Sequence, residues 1–123
     1  MLNIKHFLLL GFLIFGHWSI SLAQVAANRS EDQGLKEIMY KKLRNPTLRF
    51  NKKQFDSLFF DYFQKTNRKD VVLSKEEYYN YTVRIGIYSE KLGLLYKQSK
   101  DNATQSKKDW LDKNYSDYLQ SKK

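Results

Sequence analysis

From residue 35 onward the apolar positions recur three and four apart, the spacing of one helical face. Leu35, Ile38, Met39 and Leu43 define a first helix over about 31–44, closed by Asn45-Pro46 because proline disfavours helical backbone at the residue before it. Phe55, Leu58, Phe59, Tyr62 and Phe63 predict a second over about 52–65. Tyr78, Tyr81, Ile85, Tyr88, Leu92 and Leu95 predict a long third over about 75–98, where Gly86 and Gly93 permit kinks or close helix contacts. Trp110, Leu111, Tyr115, Tyr118 and Leu119 predict a fourth over about 107–120. No run alternates with the period of a strand. The pattern therefore predicts an all-α fold, a small bundle of about four helices.

Polar residues at the helix starts repeat one arrangement. Ser30-Glu-Asp-Gln33, Asn51-Lys-Lys-Gln54, Ser74-Lys-Glu-Glu77 and Ser106-Lys-Lys-Asp109 each set a capping oxygen three residues before an acid or amide. In such a capping box the first side chain accepts from a free helical N–H and the later one reaches back to the cap's own N–H. Apolar residues before two of these caps, Phe50 and Leu73, stand in staple position with Phe55 and Tyr78. Each cap contributes about 1 kcal/mol.

The stretch FDSLFFDYF, a loop, and VLSKEEYYNY together resemble an EF-hand. A weaker copy lies 32 residues on, with Lys65, Asp70, Ser74, Glu77 and Tyr78 matched by Lys97, Asn102, Ser106, Asp109 and Trp110. The resemblance covers about 51–119 and implies a pair of helix-loop-helix units. The calcium chemistry is absent from the residues. With Glu77 as the last ligand, the first three ligand places hold Thr66, Arg68 and Asp70, and Val71 stands where the loop needs glycine. In the alternative register, ending at Glu76, those places hold Lys65, Asn67 and Lys69. Calcium needs several oxygen ligands and net negative charge. No metal is expected, and a degenerate helix-loop-helix pair stands as the alternative to the plain four-helix bundle.

The first residues speak to location. MLNIKH carries one lysine, FLLLGFLIF is unbroken apolar sequence, and Ser21 and Ala23 sit at the −3 and −1 places of a signal-peptidase site. The apolar run is about half of the roughly 20 residues that span a bilayer. A cleaved secretory leader over 1–23 is predicted, followed by one small helical domain over 24–123 with 24–30 as lead-in. The destination is the periplasm or the extracellular space. No cysteine exists to form a disulfide, so stability must come from an aromatic core built on nine tyrosines, Trp110 and the phenylalanines at 50, 55, 59, 60 and 63. Asn28, Asn80, Asn102 and Asn114 begin Asn-x-Ser/Thr triplets, glycosylation candidates only in a eukaryotic host.

Chemistry is limited by what is missing. Both histidines, His6 and His17, belong to the leader, so the exported chain has neither His nor Cys. That removes the histidine-activated nucleophiles, the thiolate and the nitrogen and sulfur ligands of zinc. Glu76 and Glu77 are adjacent on a helix and point apart; no spacing suggests catalysis, a cofactor or a metal. The net charge is +9, and +8 once Lys5 leaves with the leader. Such a balance favours acidic polysaccharide, nucleic acid or an anionic membrane surface as partner.

Lysines at helix starts sharpen this. Lys52 and Lys53 follow one predicted cap, Lys107 and Lys108 another. Each is disfavoured there by about 0.3–1 kcal/mol unless a bound anion reverses the sign. Lys41, Lys42, Arg44 and Arg49 extend the first cluster, with no acid between Glu37 and Asp56. These cations are the candidate anion-binding residues. Two roles fit the chain: a non-enzymatic exported module that binds an acidic ligand, or a structural helical module whose aromatic face packs a protein partner.

Overall fold

A computed structural model describes residues 30–95 and 100–123. They form five helices and no strand: α1 (30–48), α2 (Lys52–Asn67), α3 (Lys75–Leu95), α4 (Lys100–Asp112) and α5 (Tyr115–Ser121). The all-α small bundle is borne out. One compact unit spans Gly34–Lys123; of the other, Met1–Gln33, residues 30–33 are described and all are helical. The predicted leader and its predicted cleavage site at Ala23 lie outside the described residues.

α3 is the axis of the larger unit. The predicted stripe on one face is replaced by burial on nearly every side: Tyr78, Tyr79, Tyr81, Thr82, Val83 and all of 85–89 are buried, with Tyr79, Val83 and Ile87 fully enclosed. α2, α4 and α5 each pack on it, and Leu35, Met39, Tyr40 and Leu43 of α1 complete the cover. Between Tyr78 and Ser89 only Asn80 and Arg84 are left half-exposed. Close approach to α4 depends on glycine, since a Cβ at Gly86 would lie 3.2 Å from the Leu111 side chain and one at Gly93 would lie 3.1 Å from the Ala103 Cβ.

The capping arrangement holds at two of its four sites. Asn51 and Gln54 exchange both bonds, at 2.8 and 2.9 Å, and Ser74 and Glu77 do the same at 3.1 and 3.4 Å. Ser30 is already helical. Ser106 lies in the middle of α4, where its hydroxyl meets that of Ser89 at 3.1 Å. The predicted fourth helix is two. α4 starts by Lys100, in polar sequence without apolar periodicity, because Ala103 is buried against Gly93, a tertiary contact no local pattern reports. The chain then breaks at Lys113 and Asn114 caps α5. α1 also outlasts its predicted end, carried through 48 by terminal bonds from Arg49 N–H to Pro46 O and Phe50 N–H to Thr47 O.

Tyrosines supply both the bulk of the core and its internal ties. Tyr62, Tyr78, Tyr79, Tyr81, Tyr88 and Tyr118 are buried, with Tyr78 and Tyr118 stacked at 4.7 Å and Phe55 and Tyr88 at 3.9 Å. Burial among these rings pushes the Tyr78 hydroxyl far above its ordinary value. Several of their hydroxyls find partners, as buried polar groups usually do. The Tyr118 hydroxyl accepts from Leu73 N–H at 3.0 Å while Tyr115 donates to Leu73 O at 2.7 Å. Tyr79 accepts from Tyr115 N–H at 2.9 Å. α5 thereby clasps the α2–α3 loop.

That loop is the one that resembles a calcium site, and several of its oxygens are engaged. Arg68 and Asp70 form a two-bond ion pair at 2.8 and 3.1 Å. The Lys122 ammonium donates to the carbonyls of Thr66, at 2.6 Å, and of Arg68. A tethered cation from the C-terminal helix thus holds loop carbonyls. In the weaker copy, Asn102 and Ser106 fall inside α4, so no loop exists at those positions. Among the described residues no cluster of three or more metal-ligating side chains occurs, and no helix is long and apolar enough to cross a membrane.

Candidate functional site

The predicted cations divide into two groups. Arg44 and Lys107 are drawn inward: both reach Glu90 of α3, at 3.0 and 3.2 Å, and the Tyr40 hydroxyl donates to the same carboxylate. Lys107 also lies over the Tyr40 ring, 5.2 Å from its centre. Burial raises the Glu90 carboxyl, but hydrogen bonds from Tyr40, Arg44 and Lys107 outweigh it and hold the group below its usual range. These two cations are therefore committed to folding. Lys107 and Lys108 do not open a helix as predicted; they sit in the interior of α4, with Lys108 exposed.

The second group faces solvent. Lys41, Lys42, Arg49, Lys52 and Lys53 are all exposed. Lys52 and Lys53 do open α2, whose first turn holds no acid. Lys42 and Lys53 border two grooves that flank one ridge of α3. The first, about 530 Å³, lies along α1 and is lined by Leu35, Ile38, Met39 and Leu43, with Glu76 and Glu77 from α3. The second, about 600 Å³, lies along α2 and is lined by Phe50, Leu58 and Phe60 with Gln54 and Ser57. Tyr81 and Arg84 belong to both.

Arg84 is the residue that the sequence reading missed. Its Nε donates to Asn80 O at 3.0 Å and its guanidinium stands 5.7 Å from the centre of the Tyr81 ring. It forms no ion pair among the described residues. Burial depresses its affinity for the proton, while the Tyr81 hydroxyl and Asp61 act in the opposite sense. Asp61 is itself occupied: the Tyr81 hydroxyl donates to it, and Lys65 approaches at 3.5 Å. Lys65 further donates to the Tyr81 hydroxyl at 2.9 Å. A guanidinium has five N–H donors, and a half-buried one with a single backbone partner keeps several for an incoming acceptor.

A signal for Arg84 was present in the sequence. It is the one cation between Tyr78 and Ser89, and the positions three and four away hold Asn80, Tyr81, Ile87 and Tyr88. No acid could reach it along the helix. The geometry can orient and neutralise an anion. Comparison with protein-family models, with characterised proteins and with solved structures finds no match to this chain.

Proposed function

We propose that the chain is an exported, non-enzymatic binding protein whose ligand carries negative charge, with Arg84 at the centre of the site and Lys53 and Lys42 at its two sides. The leader-like first 23 residues support export to the periplasm or beyond. The observation that carries the binding role is Arg84 itself: a charge taken partly out of water with no ion pair among the described residues, the acid that acts on it, Asp61, being already held by Tyr81 and Lys65. Desolvating a cation costs free energy that a protein recovers when an anion arrives. Glu90, on the same helix, shows the opposite arrangement. The absence of His and Cys after residue 23 removes the imidazole base and the thiolate and supports a role without catalysis.

Nuclear magnetic resonance on 15N-labelled protein tests the reading. Titration with sulfate, decanoate and a heparin oligosaccharide should move the Arg84 Nε–H signal and the amides of Lys53 and Asn80, and Arg84→Gln should abolish the response. Shifts spread evenly over Lys100, Lys108 and Lys123 would show diffuse charge and overturn the site. A second role, docking of a protein partner, is favoured by the exposure of Phe60 (65%) and Val72 (58%). Partner binding of that kind would persist in high salt, whereas anion binding would weaken.

A further inference from the structure

Resting on the anion-site reading, we infer that the ligand is a free amphipathic carboxylate, one anionic group on an apolar body, seated along α2 with its charge at Arg84. A polyanion is read by a row of solvated cations beside its backbone. The arrangement here is different. One half-buried guanidinium lies in an open groove lined by Phe50, Leu58, Phe60 and Tyr81, with Lys53 as the added charge. Of the exposed predicted cations, only Lys53 borders this groove.

Charge selects between the two grooves. The α1 groove pairs Lys42 and Arg84 with Glu76 and Glu77, so its lining is balanced. The α2 groove has Lys53 and Arg84 against Asp61, and Asp61 is already covered by Tyr81 and Lys65. A carboxylate is therefore favoured in the second groove over the first. Phe60 stands at the edge of that groove with 65% of its surface exposed, apolar area that a chain or ring would cover. Its volume, about 600 Å³, falls within the range of small-molecule sites.

Isothermal titration of the full exported chain with acetate, hexanoate and decanoate tests the inference, with decyltrimethylammonium, heparin and phosphatidylglycerol vesicles as comparators. Each added methylene should raise carboxylate affinity about threefold until the groove is full. Arg84→Gln should weaken decanoate about tenfold, and the rim variant Phe60→Ser should flatten the chain-length dependence. Circular dichroism is the control for folding of each variant, and Phe60 is exposed enough that its replacement should spare the core. Decanoate binding should be accompanied by weak salt dependence, as for about one ionic contact. Affinity without chain-length dependence, with heparin lost in Arg84→Gln, would overturn the amphipathic ligand and leave the anion site standing. Equal binding of every anion to wild type and Arg84→Gln would overturn both. Binding to vesicles alone, with none to monomeric decanoate, would overturn the free carboxylate in favour of a membrane surface.

Discussion

Arg84 and Glu90 sit on the same helix, both half-exposed, and are treated in opposite ways. Glu90 gathers three donors, Arg44 and Tyr40 from α1 and Lys107 from α4. Arg84 has one backbone carbonyl and one aromatic face. The first arrangement joins helices that are distant in sequence and accounts for two cations that composition alone would assign to a surface. The second ties nothing together. A charge held part-way out of water costs stability, so retaining one unpaired calls for a role other than folding. The distinction between structural and available charge does not follow from exposure or from counts of lysine; it follows from who meets whom.

The comparison can be broken most forcefully at Glu90. Replacing it by Gln leaves Arg44 and Lys107 without their carboxylate and should cost about 2 kcal/mol, read as a lowered midpoint in urea. The pH dependence has a definite sign. Folding holds the Glu90 carboxyl below its unfolded value, so its contribution is complete above that value, near about 4.3, and is lost as pH falls through the lower folded value. The stability gap between wild type and Glu90→Gln should accordingly be constant near neutral pH and narrow as pH falls below about 4.3. A gap independent of pH would mean that the cluster contributes through packing alone.

Lys122 offers a second committed cation and a smaller effect. Its ammonium closes on Thr66 O and Arg68 O, so Lys122→Met should cost about 1 kcal/mol and free the α2–α3 loop. Trypsin should then cut after Arg68 or Lys69 faster than in wild type. Unchanged cleavage would show that Tyr115 and Tyr118 hold the loop unaided. The smallest effect belongs to Arg84. Arg84→Met should change stability by no more than about 0.5 kcal/mol, in either direction, because the charge removed has no ion pair to lose and its release from partial burial offsets the loss of one hydrogen bond and one ring contact.

Much of this was legible beforehand, and the exceptions share a cause. α2 and α3 were readable because their apolar residues keep helical spacing over several turns and their caps are local, within four residues. α4 was not, because DNATQS has no periodicity and becomes helical by packing Ala103 on Gly93. Ser106 looked like a cap for the same reason: the local grammar was right and the tertiary contact overrode it. Among the cations, Lys52 and Lys53 were correctly placed at a helix start, and Lys53 reached the groove. Arg44 and Lys107 could not be separated from the rest, since their partner Glu90 is 46 and 17 residues away in sequence. Arg84 escaped notice because attention to clusters overlooks a lone charge in an apolar run.

The central claim is that Arg84 serves a ligand and not the fold, and paired thermal melts of wild type and Arg84→Met, each without and with decanoate, test it most directly. The account predicts equal midpoints without decanoate and a rise in wild type alone, equivalent to about 2.7 kcal/mol at a hundred times the dissociation constant. An Arg84→Met midpoint far below wild type, with the decanoate response intact, would contradict it.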